Sequence, residues 1–420
     1  MQLQYKFMCM TECILIMLLI FLSFSYGEAE EVRYPAPGYE GAELDKVRSW
    51  EKKFAGIKID HTNVDRVRQF LSETLYTIIK QPEVWGNNYF TIVPYDTYKP
   101  HRGWVDWTKK GYGNSSIDAE GTIHGHVAGL PFIKPGTGEE VMYNFELLPL
   151  WDDYVQYAPD AYINDFKTAS VRSMSLDIEV SRIASRTAVP PIPEYTNNDQ
   201  GVLQANMQYF SNPPELKGTY ILNYLYKDRN KEWDKWTWVP ALRRVRRMNT
   251  TQRQDHTSGA DFCDDDANGW FGRISRNTYQ LLGRKELLLA RNNKPDEALF
   301  SKESFMWQNL KRERIKTFVI KAVSKNPNYL YSKQIFYIDP EFWQIAYCEK
   351  YDKKGALWKI GDYSMGRHQS PTNETVAVYC TFFIADVQRK HATLLKGGYD
   401  MDKQFELSHF TPMELNRIGR

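Results

Sequence analysis

Two stretches near the start of the chain carry apolar residues at helical spacing. Leu44, Val47, Trp50 and Phe54 lie three or four apart, and Val64, Val67, Leu71, Leu75 and Ile78 do the same. This pattern predicts amphipathic helices over 43–54 and 63–80, with Asn63 placed to cap the second and Pro82 to stop it. From about Tyr89 the pattern changes to short runs rich in Tyr, Val, Ile, Thr and Trp, separated by Gly, Pro, Asn and Asp, which predicts antiparallel sheet. Strands are expected at 218–226, 235–248, 278–290, 315–324 and 376–385. The clearest meander runs through 334–338, a turn at Asp339-Pro340, 341–351, a second turn at 352–355, and 356–365. In its middle strand Trp343, Ile345 and Tyr347 share one face and Gln344, Ala346 and Cys348 the other. Thr411-Pro412 opens a short terminal helix, Thr as cap and Pro in the first turn. A long twisted sheet of this kind pairs with a second sheet, closes, or curls and covers its concave face with helices, and the early amphipathic helices favour the last.

The N-terminus sets the compartment. Residues 13–24 are an apolar run too short to span a bilayer comfortably, preceded by Lys6 and followed by Ser25-Tyr26-Gly27, with small residues at the −3 and −1 positions before Glu28. We read 1–27 as a secretory signal, Glu12 leaving an uncleaved anchor open. No Leu-x-x-Cys follows the apolar run, which argues against a lipid anchor. Residues 28–42 read as an extended arm and 43–420 as a single domain, with helices over 43–80, sheet over 89–410 and a terminal helix over 411–420. Cys9 and Cys13 fall in the signal, so Cys263, Cys348 and Cys380 allow at most one disulfide and leave a thiol. The fold must therefore rest on its core. Aromatic residues make up 14% of the chain although mean hydropathy is −0.56, a mixture that suits aromatics lining strands or an internal surface.

Lys and Arg number 54 against 52 Asp and Glu, a net charge of +2, which argues against a nucleic-acid partner. The basic character is local: Arg243, Arg244, Arg246 and Arg247 stand within five residues of a segment read as strand. Alternation puts Arg244 and Arg246 with Leu242 on one face and Arg243 and Arg247 with Val245 on the other. Two readings follow. One arginine pair forms ion pairs with the downstream acids Asp255, Asp261, Asp264, Asp265 and Asp266, or the run docks a lipid headgroup, a lipopolysaccharide phosphate or an acidic partner. Asp264, Asp266 and Asn268 before Gly269 resemble the first half of a calcium loop, but Ser275 stands where its bidentate Glu belongs, and no metal site is assigned. His124 and His126 share a strand face without a local third ligand. No catalytic elbow, zinc-binding helix or phosphate loop is present, so neither catalytic residues nor cofactor are assigned. Trp343, Tyr347 and Trp358 form an aromatic stripe that serves as core, or as ligand wall if the sheet curls around a cargo.

The Trp-x-Trp-Val-Pro and arginine block at 236–247, Thr251 to Asp255, Ser258 to Asp261 with the acids after it, Gly125 to Phe132, and the meander from Phe336 through Trp343 and Asp352 to Trp358 together resemble the DUF1329 family of exported Gram-negative proteins. The resemblance spans roughly 32–420. It implies a mainly β fold with helices, a large curled antiparallel sheet forming a half-open barrel similar to the lipoprotein carriers LolA and LolB, and helices packed in or over the concave face. It also implies work beside exporters of the resistance-nodulation-division (RND) type. The expectation is a non-enzymatic periplasmic carrier or chaperone for a lipid, lipoprotein or other hydrophobic or amphiphilic cargo, with an RND-type exporter or an outer-membrane partner. The alternative is an interaction scaffold at the outer membrane or exporter. A secreted hydrolase would need convergent polar residues that the sequence does not offer. An integral outer-membrane barrel is disfavoured by the opening helices and by the ending Ile418-Gly419-Arg420.

Overall fold

In the computed structural model, residues 34–36, 38–148, 150–249, 253–401 and 405–420 are described. The signal at 1–27 lies outside them, and Pro35–Arg420 forms one unit. Its strands are β1 (Lys58–Ile59), β2 (Phe90–Ile92), β3 (Ser116–Ile117), β4 (Ile123–His124), β5 (Tyr154–Asp165), β6 (Ser170–Arg182), β7 (Val202–Asn212), β8 (Tyr220–Tyr226) and β9 (Asp234–Val239). They continue with β10 (Arg244–Arg247), β11 (Asn277–Ala290), β12 (Leu310–Ser324), β13 (Lys333–Ile338), β14 (Ile345–Tyr351), β15 (Leu357–Gln369), β16 (Thr375–Asp386) and β17 (His391–Asp400). All but β3 and β4 belong to one sheet of 15 strands, ordered β1-β2-β12-β13-β14-β15-β16-β17-β5-β6-β7-β8-β9-β10, with β11 also on β12. Two meanders, β11–β17 and β5–β10, are thus joined along β17 and β5, whose register runs from His391↔Asp165 to Asp400↔Gln156. Neighbours in the sheet are antiparallel except β2 and β12, which pair in parallel.

The sheet curls without closing. Its end strands do not pair with one another. Lys235 on β9 and Lys350 on β14 are eight strand steps apart, about 38 Å of flat sheet at about 4.8 Å per step. Yet their ammonium groups bind Asp264 at 2.7 Å and Asp266 at 2.6 Å, two residues apart in one segment. Only a strongly curled sheet brings both walls to that segment, and the result is the expected half-open barrel.

Among the described residues six α-helices accompany it: α1 (Gly41–Phe54), α2 (Glu73–Lys80), α3 (Pro82–Trp85), α4 (Arg102–Lys110), α5 (Gly138–Leu147) and α6 (Pro412–Ile418). The sides they take follow from strand alternation. On β14, Lys350 faces the acidic segment, whereas Tyr347, three positions earlier and therefore on the other face, accepts a 2.8 Å hydrogen bond from Ser72 at the start of α2. The N-terminal helices accordingly lie on the convex face, where Val47, Leu75 and Ile78 pack with Leu287, Leu289, Ile315 and Tyr337. Leu415 of α6 packs with Leu222, Tyr224 and Trp238 on the convex face of β8 and β9. The helix that reaches the concave side is α5, an element placed in the sheet region by sequence reading, where Phe145 lines a recess together with the concave residues Gln204 and Leu225. Its signal was present: Thr137 accepts from the Glu140 amide and the Glu140 side chain accepts from Thr137, a capping box.

Two expected elements break. The helix expected over 63–80 divides at Ser72, whose hydroxyl caps α2 through the Leu75 amide at 3.1 Å, after a 3₁₀ turn at Val64–Phe70. Asn63 instead accepts from the Asp60 amide, and Pro82 begins α3. The strand expected over 235–248 is a hairpin, because Pro240 cannot donate to a ladder and the chain turns through Pro240–Leu242 with Arg243 in the left-handed region at φ 45°. Trp343 also leaves its strand: it has φ 53°, in a turn held by the Asp339 carboxylate, which accepts from the Glu341 and Phe342 amides.

Candidate ligand cavity and its polar plug

The concave face is closed by residues 253–276, which cross it as a plug without long helix or strand. Its anchors are ionic. Asp266 accepts from Lys350 at 2.6 Å, from Tyr331 at 2.8 Å and from the Cys263 amide at 3.1 Å, with Lys359 at 3.7 Å. Burial pushes this carboxyl up, but Lys350 and Lys359 outweigh it and hold it well below the usual carboxylate range. Asp265 takes Arg253 and Tyr329, Asp264 takes Lys235, and Asp261 takes His391 and Thr393 at 2.8 Å each. The hydrogen bond to Asp261 raises the His391 imidazole. Gly269, at φ 85°, lets the plug settle on β14, where a Cβ would meet Ile345 at 2.7 Å.

Between plug and sheet lies a cavity of about 200 Å³. Val155 and Tyr157 of β5, Met174, Leu176, Ile178 and Val180 of β6, and Phe382, Ile384 and Leu395 of β16 and β17 form its apolar walls. Gln204, Asn206 and Gln208 of β7 and Asn223 of β8 add a band of amides, and Phe262 and Phe271 of the plug close it. An apolar cavity of about 150 Å³ is enough to take up benzene, so this space suits a small apolar group or part of an acyl chain. At one end Phe210, Ile221, Lys235, Arg253 and Asp264 also line a second hollow of about 210 Å³, bordered by Met248 and Asn249 just after β10.

The sequence-predicted residues fall elsewhere. Trp343 is buried against Phe318, Tyr347 is buried on the convex face, and half-buried Trp358 donates to Asp386 and meets Tyr331 edge-on. None of the three lines the cavity. The arginine run does not neutralise the acidic segment. Arg247 pairs with Asp234 across the hairpin, while Arg243, Arg244 and Arg246 are exposed on the edge and without ion-pair partners among the described residues. The acids instead take Lys235 and Arg253 from nearby segments and Lys350, Lys359 and His391 from strands distant in sequence. Asp264, Asp266 and Asn268 do not converge as a calcium loop would: lysines occupy the carboxylates, and Asn268 turns at φ 53°. His124 pairs with Asp118, and His126 hydrogen-bonds the Gly129 carbonyl. Cys263, Cys348 and Cys380 are all buried free thiols, so the disulfide left open by the sequence is not made.

A half-open β-barrel with an ionically anchored plug over a largely apolar cavity places the chain among β-rich proteins with an internal cavity. The profile of the family described as "Protein of unknown function (DUF1329)" matches residues 58–416, and the chain belongs to that family. An uncharacterized protein of Pseudomonas aeruginosa is 25% identical over 240 residues, 53% of this chain and 52% of that protein, so the match spans about half the length of this relative. Among solved structures, a Vibrio parahaemolyticus domain named for outer membrane lipoprotein sorting is 16% identical, with TM-score 0.49, covering 66% of this chain and 97% of that one. A DUF1329 family protein from Desulfovibrio piger is 15% identical, with TM-score 0.46, covering 63% and 92%. A LolA superfamily protein from Nitrosomonas europaea is 11% identical, with TM-score 0.41, covering 66% and 98%.

Proposed function

We propose that the protein is a non-enzymatic periplasmic carrier that encloses the apolar part of a hydrophobic or amphiphilic cargo in the cavity beneath its plug. The observation that carries this reading is a largely apolar space of about 200 Å³ between the plug and the concave face of the sheet. Transfer of each methylene from water contributes about 0.8 kcal/mol, so six buried methylenes contribute about 5 kcal/mol. Exchange follows from the plug's construction, because polar anchors can be rehydrated as they part, whereas an apolar lid offers no such compensation. No helix among the described residues is long and apolar enough to cross a membrane. Hand-over to an RND-type exporter or outer-membrane acceptor is the finer part of the proposal. Exposed Arg243, Arg244 and Arg246, on the edge strand leading to the outer hollow, are its docking residues.

Organic extraction of protein purified from its native exported fraction, followed by mass spectrometry, should release a near-stoichiometric amphiphile. An empty extract, together with failure of the protein to take up benzene or short alkanes, would overturn the carrier reading. Crosslinking in cells tests the docking surface: R244Q/R246Q should lose an envelope partner that wild type captures, and equal capture removes the arginines from that role.

A further inference from the structure

The cavity continues past Trp151, Gln204, Asn268 and Phe271, which line both spaces, into a recess of about 70 Å³. Hydrogen-bond donors without acceptors surround this recess. The indole Nε1 of Trp151, Trp233 and Trp270 and the Nε and Nη1 of Arg182 are buried and have no hydrogen-bond partner among the described residues. Arg182 is 2% exposed, and its Nη2 is engaged by the Glu146 and Leu147 carbonyls at 3.3 and 3.1 Å, at the end of α5. Each buried unsatisfied donor costs about 1–3 kcal/mol, and native interiors leave few of them. Five belong to side chains around this one recess, and an accepting ligand there would satisfy them.

The local charge has the matching sign. Arg182, Arg229 and Arg273 are all buried. Arg229 pairs with Glu146 at 2.8 Å, which offsets the one carboxylate on the recess wall, although Glu146 Oε1 itself lacks a donor. Arg273 is held by the carbonyls of Tyr226, Asp228 and Arg229 and has no carboxylate partner among the described residues. Asp153, which also acts on Arg182, is occupied by the Thr187, Ala188 and Val189 amides, and burial raises its carboxyl. Burial, with Arg229 and Arg182 nearby, brings the His126 imidazole down to about 4, so it adds no charge at neutral pH.

We propose that this recess is the head-group site of the cavity and that it takes a carboxylate. The ligand would be a single-chain amphiphile such as a fatty acid, its head against Arg182 and the indole N–H groups and its first methylenes along Val180, Val155 and Ile178, the cavity residues reached from Arg182 along β6 and its neighbour β5. The recess, at about 70 Å³, is smaller than the cavity it adjoins, which suits a compact head such as a carboxylate. This assignment rests on the carrier reading and moves head recognition from the exposed arginine run to a buried site.

The test is calorimetry on delipidated full-length protein with dodecanoate, dodecanol and dodecylphosphocholine. Dodecanoate should bind at least about tenfold more tightly than dodecanol, as a charge-assisted hydrogen bond implies, and dodecylphosphocholine more weakly than dodecanoate. W151F should reduce the preference severalfold and R182M should remove it. Equal affinity for acid and alcohol overturns the head-group site and leaves the carrier reading standing, whereas binding of none of the three overturns both. Because R182M also removes two hydrogen bonds to α5 and risks unfolding, carboxyl-¹³C dodecanoate is titrated on wild type by NMR. The bound carboxyl should stay ionised below the pH at which the free acid protonates, and titration as in water overturns the assignment.

Discussion

Replacing Asp266 with Asn tests the plug directly. Lys350 and Lys359 stand opposite one another in the β14–β15 register, an arrangement that is unfavourable for like charges. Both are buried, and Asp266 lies between them at 2.6 and 3.7 Å. Asn keeps the shape and an acceptor for Tyr331 but removes the charge. Breaking a buried pair by removing one partner costs about 3–5 kcal/mol. Lys350 retains the Gly269 carbonyl and Lys359 the Asp261 carbonyl, which limits the loss. We therefore expect D266N to lose about 4 kcal/mol, a large share of the roughly 5–15 kcal/mol typical of a domain. Urea unfolding followed by tryptophan fluorescence reads this as a fall in midpoint at constant slope. D266N/K350M should recover about half, because one stranded ammonium is gone. A loss below about 1 kcal/mol, or simple additivity in the double variant, would refute the account of how the plug is held.

The remaining predictions concern charge, space and thiols. Arg247 is 66% exposed, so R247Q, like R244Q/R246Q, should leave the melting temperature unchanged; a drop of several degrees would mean internal pairing after all. The His391 imidazole is raised in the fold, so its contribution is complete below the unfolded value of 6.5 and is lost as pH rises through its folded value. The carboxyl of Asp266 is depressed, so its contribution is present above 3.8 and lost only as pH falls through its lower folded value. Protection factors of the 253–276 amides, taken against the intrinsic exchange rate at each pH, should therefore fall on the alkaline side first, and H391Q should abolish that fall. L176W, which fills the cavity from β6, should end uptake of benzene while changing stability by less than about 2 kcal/mol. Burial pushes the Cys348 thiol up to about 11 and that of Cys380 up to about 12, so peptide mapping after alkylation of native protein should find both unlabelled until denaturant is added.

The sheet was legible where local pattern and tertiary environment agree. The meander β13–β15 shows its turns and β-rich runs in sequence because Asp339-Pro340 and the turn at 352–355 interrupt strands buried on both faces. Helices α1 and α6 were legible from apolar spacing and from the Thr411-Pro412 start. α5 escaped because seven of its ten residues are buried, which blurs the amphipathic period although its capping box stood in plain view.

By itself the sequence determined that a large antiparallel sheet forms, where many of its strands lie, and that its fold rests on core packing, because these follow from neighbours along the chain. Which face became the inside was decided only by tertiary structure. In β7 the apolar Val202, Ala205 and Met207 pack outward in the cluster under α6, while Gln204, Asn206 and Gln208 face the cavity, the reverse of what alternation suggests to a reader of the strand. The arginine run and the acidic segment likewise look like partners because they are near in sequence. A curled sheet brings Lys350, Lys359 and His391 closer to those acids than the arginines 20 residues upstream, and electrostatic attraction depends on distance in space.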